Sequence, residues 1–256
     1  MTNYDQEMEV AIFAAKQAGA FLKEHFHDSK KVDEATQNDI KLELDKTSQS
    51  LITKCILDRF PAHSVLGEEG YSGERNSEYE WIVDPIDGTV NYYYSIPWFC
   101  VSIALRHRGE VVLGVIYDPM MDECWHVIRG QKPYMNDREM HCSQRTKMAE
   151  AIVFVGHGKT DGSKEKGIER FAKIAWQVRK VRNNGSAALA LAYIACGRFD
   201  AYVESIISIW DIAAGALLVE AAGGKVSLEP KPENPEQFAI VAWNGLIPIQ
   251  EALAEN

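Results

Sequence analysis

Apolar or small residues at Met8, Ile12, Ala15, Gly19, Leu22 and Phe26 recur at alternating steps of four and three, which predicts an amphipathic helix over about residues 4–26. Ile40, Leu42 and Leu44 then alternate as a short strand does. Asp45 stands at the junction with a helical run through Leu51, Ile52, Cys55, Ile56 and Phe60 that Pro61 ends. SVLGEEG reads as a short strand entering a loop, and residues 81–84 as the next strand. FCVSIALRHRGEVVLGVIYDP supplies two strands joined by a turn at Arg108 and Gly109, and ECWHVIRG a third, together an antiparallel meander.

Beyond about residue 145 the rhythm becomes strand 152–155, helix 164–176, strand 178–181, helix 186–196, strand 201–204, helix 211–222, strand 238–241 and a terminal helix. Such alternation implies layered α/β structure. LEPKPENPEQ, with three prolines, reads as a polar surface loop. The expected fold class is α/β in the broad sense: an N-terminal α+β lobe over 1–145 and a C-terminal α/β lobe over 146–256. A cleft between the lobes is the favoured ligand site.

The 256 residues, 46% of them apolar, suffice for a substantial core, and 25% charged residues give no sign of long disorder. A formal net charge of −10 argues against nucleic acid or anionic membrane as the main partner. No apolar run approaches the roughly 20 residues that span a bilayer, and MTNYDQEMEV lacks a basic, then apolar, leader. A cytoplasmic protein is expected. Cys55, Cys100, Cys124, Cys142 and Cys196 are odd in number and widely spaced, as reduced and mainly buried thiols would be.

In WIVDPIDGTVNYYY a buried strand runs into two aspartates three residues apart. Pro85 fixes its own φ, so Asp84 and Asp87 stand at the ends of a four-residue turn and their side chains can converge. Convergent carboxylates repel, and a hard divalent cation is the usual remedy. A solvent-exposed turn with Asp87 or Thr89 capping the next short helix explains the same residues. The motif alone leaves both readings standing. Gly88 and Thr89 open that helix, and their N–H groups suit an anion held beside metals. LGEEG offers Glu68 and Glu69 at a strand end, either as an inward ligand or as a charged loop. Asp211 begins a helix rich in small residues, where ordinary N-capping is the simpler role. Gly185 and Ser186 precede another helix whose N–H groups could meet a hydroxyl or phosphate, again with capping as the default. His126, His141 and His157 have no His or Cys partner at a metal-ligand spacing and read as surface or strand residues. Tyr92, Tyr93, Tyr94 and Trp98 read as packing at the lobe interface.

Taken together, GEEG, WIVDPIDGTVNYYYSIP and WDIAAGALLVEAAGG resemble the inositol monophosphatase family of Mg²⁺-dependent, lithium-sensitive phosphatases, and the order of elements matches over nearly the full length. The resemblance implies an αβαβα sandwich, a homodimer and two or three Mg²⁺ per site. It places Glu68, Asp84 and the carbonyl of Ile86 on a first metal, Asp84, Asp87 and Asp211 on a second, and Glu68 with water on a weaker third. Thr89 would orient the attacking water, with Asp45 accepting its hydrogen bond, and the N–H groups of Gly88 and Thr89 would hold phosphate. Gly185, Ser186, Ala187 and Glu204 would face sugar or inositol hydroxyls.

The implied activity is hydrolysis of myo-inositol monophosphate, or a closely related polyol or sugar monophosphate, by direct attack of water without a covalent enzyme intermediate. Related enzymes take fructose bisphosphate, histidinol phosphate or 3′-phosphoadenosine nucleotides. Glu204 favours a neutral polyol over a second phosphate, whereas Arg179, Lys180 and Arg182 could serve one or simply form a solvated basic face. An interaction protein on a phosphatase scaffold is the alternative from another class. Tyr92 to Ser95, Lys132, Pro133 and Ser208 depart from common family residues; they leave the metal motifs intact and bear on substrate choice.

Overall fold

The computed structural model describes residues 4–35, 40–158 and 161–254, so the first three residues of the N-terminal stretch and the last two of the chain lie outside it. The first helical period becomes α1 (Asp5–Glu24), which buries Met8, Ala11, Ala14, Ala15, Ala18, Gly19 and Leu22 on one face. Gly19 sets how closely α1 lies on the sheet below, because a Cβ there would stand 2.6 Å from the Tyr117 ring.

A small antiparallel hairpin, β1 (Val32–Ala35) with β2 (Ile40–Leu42), leads into α2 (Glu43–Arg59). Leu44 therefore belongs to the helix rather than to the strand expected of it. The cause is local: the Asp45 carboxylate accepts the Leu42 N–H at 2.7 Å and fixes the helix start there.

The first large sheet is built from β3 (Ser64–Gly67), β4 (Gly70–Gly73), β5 (Tyr79–Asp87), β6 (Cys100–His107), β7 (Glu110–Asp118), β8 (Glu123–Ile128), β9 (Tyr134–Met135) and β10 (Arg138–Glu139), with the short helix α3 (Thr89–Tyr93) after β5. Its order is β10-β9-β8-β7-β6-β5-β3-β4, antiparallel except where β3 runs parallel to β5. The expected meander is β6, β7 and β8, and its turn at Arg108 and Gly109 has φ of 52° and 86°, as a tight two-residue hairpin requires.

The second sheet comprises β11 (Ile152–Val155), β12 (Lys180–Arg182), β13 (Ala201–Ser208), β14 (Lys225–Lys231) and β15 (Asn234–Trp243), in the order β12-β11-β13-β15-β14. Between these strands run α4 (Asp161–Ala175), α5 (Ala187–Ala195) and α6 (Ile209–Ala221), and α7 (Ile249–Ala254) closes the described chain. LEPKPENPEQ is not a loop but most of a hairpin joining β14 to β15. Its prolines are tolerated because Pro230 lies on the edge strand and Pro235 near the start of β15, where few ladder donors are needed.

Layering follows from which faces are apolar. α1 and α2 cover one face of the first sheet, and α5 and α6 fill the space between the two sheets. α4 and α7 cover the outer face of the second sheet. This is the αβαβα sandwich. α5 (AALALAYIA) is buried nearly all round, as a helix between two sheets must be. Small residues let the layers approach: a Cβ on Gly114 would fall 2.8 Å from the Ala214 carbonyl oxygen, and one on Gly215 would fall 2.5 Å from Leu191 Cβ. One apolar cluster runs through this layer from Ile82 and Trp125 to Tyr202 and Ile240.

The five cysteines are free thiols, with Cys100, Cys124 and Cys142 buried. Tyr92 is core, as expected, and donates its hydroxyl to the Leu22 carbonyl at 2.8 Å. Tyr94 and Trp98 are not: they are 66% and 48% exposed, because the backbone after α3 reverses through Ser95 at φ 56° and turns them outward. Among the described residues no helix is long and apolar enough to cross a membrane.

Candidate active site

β5 ends where its ladder with β6 slips between Asp84 and Asp87, so the strand turns out of the sheet with both side chains directed to one place. The Asp84 carboxylate accepts the Ile86 N–H at 2.9 Å, which tightens the turn. Asp211, in the first turn of α6, reaches the same point and accepts the Ser208 N–H at 3.1 Å. N-capping and convergence are thus both true of Asp211. Carboxylate oxygens of Asp84, Asp87 and Asp211 lie within 4.8 Å of one another. They stand in a cavity of about 580 Å³, also lined by Glu68, Gly88, Thr89, Gly185, Ser186, Ala187 and Glu204. The capped, solvent-exposed turn is excluded, since Asp84 is 1% and Asp87 6% exposed.

The electrostatics are those of a site short of positive charge. No lysine or arginine lines the cavity among the described residues. Asp84 is pushed well above the ordinary carboxylate value, first by burial and then by Glu68, Asp211 and Asp87. Asp87 is also raised by burial, but less freely: it accepts Ser186 Oγ at 2.5 Å, Ala188 N at 2.7 Å and Ala187 N at 3.3 Å. The N-terminus of α5, where capping was the default reading and a ligand the alternative, is capped by Ser186 and by Asp87 from the other half of the chain. Asn91 makes a second such tie, donating to the Asn184 carbonyl at 2.6 Å and the Trp98 carbonyl at 2.7 Å.

Around this centre the expected residues divide. Glu68, in the turn between β3 and β4, lines the cavity, whereas Glu69 faces an open groove beside Lys46 and Tyr71. Glu68 stands outside the tight triad, and its charge is felt at both Asp84 and Asp45. Asp45 does not line the cavity. It is 2% exposed behind Thr89, whose hydroxyl lies 3.3 Å from Asp45 Oδ1 and 2.9 Å from the Ile86 carbonyl oxygen. Burial lifts Asp45 to about 7, with the Leu42 N–H pulling the other way. The Ile86 carbonyl keeps one lone pair beyond its bond to Thr89. Gly88 sits at φ 101°, where a Cβ would meet the Trp98 carbonyl oxygen at 2.8 Å.

Glu204 closes the far wall. It is 8% exposed and accepts the Tyr202 hydroxyl at 2.5 Å, so it is no surface acid. Gly156 makes room for it, because a Cβ there would overlap the carboxylate. His157 is exposed, as its reading as a surface residue has it, and also lines the cavity. Arg179, Lys180 and Arg182 do not line the cavity. Sequence reasoning passed over Tyr202, Asn91, Ser48 and Gln49. Tyr202 stands two residues before Glu204 on a strand, hence on the same face, which is a legible signal.

The donor set suits a hard divalent cation: clustered carboxylates and a carbonyl, with no soft ligand among the triad. A model of the inositol monophosphatase family matches residues 3–255. Inositol-1-monophosphatase of Mesorhizobium japonicum is 36% identical over 251 residues, covering 96% of this chain and 94% of that one. The Nus factor SuhB of Xylella fastidiosa is 35% identical over 258 residues, covering 97% and 93%. The crystal structure of extragenic suppressor protein suhB from Bartonella henselae superposes with a TM-score of 0.90 at 32% identity, covering 98% of this chain and 99% of that one. Its sequence, its layered fold and the full-length extent of these matches show that the chain belongs to the inositol monophosphatase family of metal-dependent phosphatases.

Proposed function

We propose that the chain hydrolyses myo-inositol monophosphate, or a closely related polyol or sugar monophosphate, to the free alcohol and phosphate by direct attack of water, with two or three Mg²⁺ per site. The convergence of Asp84, Asp87 and Asp211 in a cavity that ends at Glu204 carries this reading. Glu68, Asp84 and the Ile86 carbonyl would hold one ion, Asp84, Asp87 and Asp211 another, and Glu68 a weaker third. Bound there, divalent cations neutralise a phosphate dianion, acidify water and stabilise a departing alkoxide.

The protein's own groups do the positioning. Thr89 and Asp45 form a hydroxyl–carboxylate pair on the Glu68 side, able to orient a water and accept its proton. The N–H groups of Gly88 and Thr89 would hold the phosphate, and Gly185, Ser186 and Ala187, which line the same cavity, would face the substrate's hydroxyls. Glu204 accepts hydrogen bonds from ring hydroxyls. Burial and Glu204 raise the Tyr202 hydroxyl well above its ordinary value, so Tyr202 stays protonated and donates. An anionic wall at Glu204, with the basic residues of β12 outside the cavity, disfavours a second phosphate.

Phosphate release from a panel of esters at varied Mg²⁺, with and without Li⁺, tests this. Inositol monophosphate should exceed fructose 1,6-bisphosphate and 3′-phosphoadenosine 5′-phosphate in kcat/KM, and Li⁺ should inhibit. Tyr202→Phe should raise KM for inositol monophosphate roughly tenfold, the weight of about one charged hydrogen bond, while leaving a small aryl phosphate nearly unchanged. Preference for a bisphosphate by a wide margin would overturn the substrate assignment, and turnover without metal would overturn the mechanism.

A homodimer fits the exposed apolar surface of Tyr94, Ile96 and Trp98 beside the site, and five free thiols fit a cytoplasmic setting. The relatives called Nus factor SuhB favour a second reading, in which the same chain also works as an interaction protein. Such a role would survive substitutions in the acidic triad.

A further inference from the structure

We infer that Gln49 is a positioning residue that clamps the Glu68 turn and thereby sets the Mg²⁺ requirement of the site. The inference rests on the proposed ligand role of Glu68. Asp45, Ser48 and Gln49 lie three and four residues apart on one face of α2, and all three are buried polar residues where a core-facing helix would ordinarily carry apolar ones. Each of them grips a segment that carries the candidate site. Asp45 meets Thr89 at 3.3 Å, and Ser48 Oγ donates to the Pro85 carbonyl, between Asp84 and Ile86, at 3.3 Å.

Gln49 holds the other acidic segment with both ends of its amide. Its Oε1 accepts the Glu69 N–H at 2.9 Å, and its Nε2 donates to the Gly70 carbonyl at 3.1 Å. A side chain that accepts and donates at once matches this turn; a carboxylate or a thioether of similar length does not. Gly67 completes the fit, since a Cβ there would lie 2.1 Å from Gln49 Oε1. From the sheet side the Glu68 N–H donates to the Val83 carbonyl at 3.2 Å. Glu68 is thus held from the strand on one side and from α2 on the other. Gln49 itself lines only the outer groove, not the catalytic cavity, so it acts through Glu68 and touches no substrate.

The test compares wild type, Gln49→Met, Gly67→Ala and Glu68→Gln in two titrations with Mg²⁺ alone as the probe. One follows the Mg²⁺-induced rise in Tm, the other phosphate release from inositol monophosphate. Gln49→Met keeps the volume and loses both hydrogen bonds, and Gly67→Ala displaces the amide by a separate route, so a folding failure in one leaves the other informative. Both should raise half-saturating Mg²⁺ roughly tenfold, the usual cost of losing a group that orients a metal ligand. KM for the ester at saturating Mg²⁺ should stay within about twofold of wild type, and hydrogen exchange at the Glu69 amide should accelerate. Unchanged half-saturation in the folded variants, with Glu68→Gln shifted, would overturn the clamp and leave the site assignment intact. An unshifted Glu68→Gln would overturn the ligand role on which the clamp depends.

Discussion

Replacing Asp84 by Asn should cut phosphate release by roughly 10³-fold or more, while making the metal-free protein more stable. The two effects have one cause. Asp84 is buried among Glu68, Asp87 and Asp211, and its folded pKa lies well above the ordinary 3.8. A raised carboxylate favours the folded state fully below the unfolded pKa, and the contribution is lost as pH climbs through the folded value. Metal-free wild type should therefore lose Tm as pH rises above about 4, and added Mg²⁺ should restore most of the loss at pH 7 to 8. Asn keeps an oxygen for the Ile86 N–H and removes the charge. Metal-free Asp84→Asn should gain about 2–4 °C in Tm for each kcal/mol of repulsion relieved, with a flatter pH dependence and a smaller Mg²⁺ response. Differential scanning fluorimetry across pH, with and without Mg²⁺, measures all of this. A metal-free Asp84→Asn that melts below wild type at pH 8 would contradict the repulsion.

Three residues on, the same reasoning gives the opposite sign. Asp87 is raised by burial, yet it also caps α5 through Ser186 Oγ, Ala187 N and Ala188 N. Asp87→Ala should lose activity by a similar factor and also lower metal-free stability by about 1–3 kcal/mol, because those donors are left with only cavity water. Denaturant titration checks it. An unchanged midpoint would mean that the carboxylate contributes no net cap.

The contrast marks what the chain makes legible. DPIDGT, GEEG and WDIAAG announce their acids because each sits at a strand end or helix start, where short-range turn chemistry is visible in neighbouring residues. Their meeting is a tertiary fact, and only the resemblance to a family anticipated it. Helix α1 was readable because a single apolar face dominates it, and the meander β6 to β8 because its strands are continuous apolar runs, buried on both faces and broken by a turn at Arg108 and Gly109. The hairpin β14 to β15 was not, since Pro230, Pro232 and Pro235 argue for a loop, while Pro230 lies on the edge strand, Pro232 in the turn and Pro235 ahead of the residues that pair with β13. The start of α2 was hidden because its buried face is polar at Asp45, Ser48 and Gln49, which defeats an apolar period. That α5 is capped by Asp87 could not be read either, as the two residues are about a hundred positions apart.

The central claim is that Asp84, Asp87 and Asp211 are tolerable together because they share divalent cations. Anomalous diffraction from crystals grown with Mn²⁺ in place of Mg²⁺ tests it most directly. The predicted result is a strong manganese peak bounded by these three carboxylates, with further density toward Glu68, and loss of that peak in Asp84→Asn. Well-ordered carboxylates with no peak between them at millimolar Mn²⁺, in a protein that still releases phosphate, would contradict it.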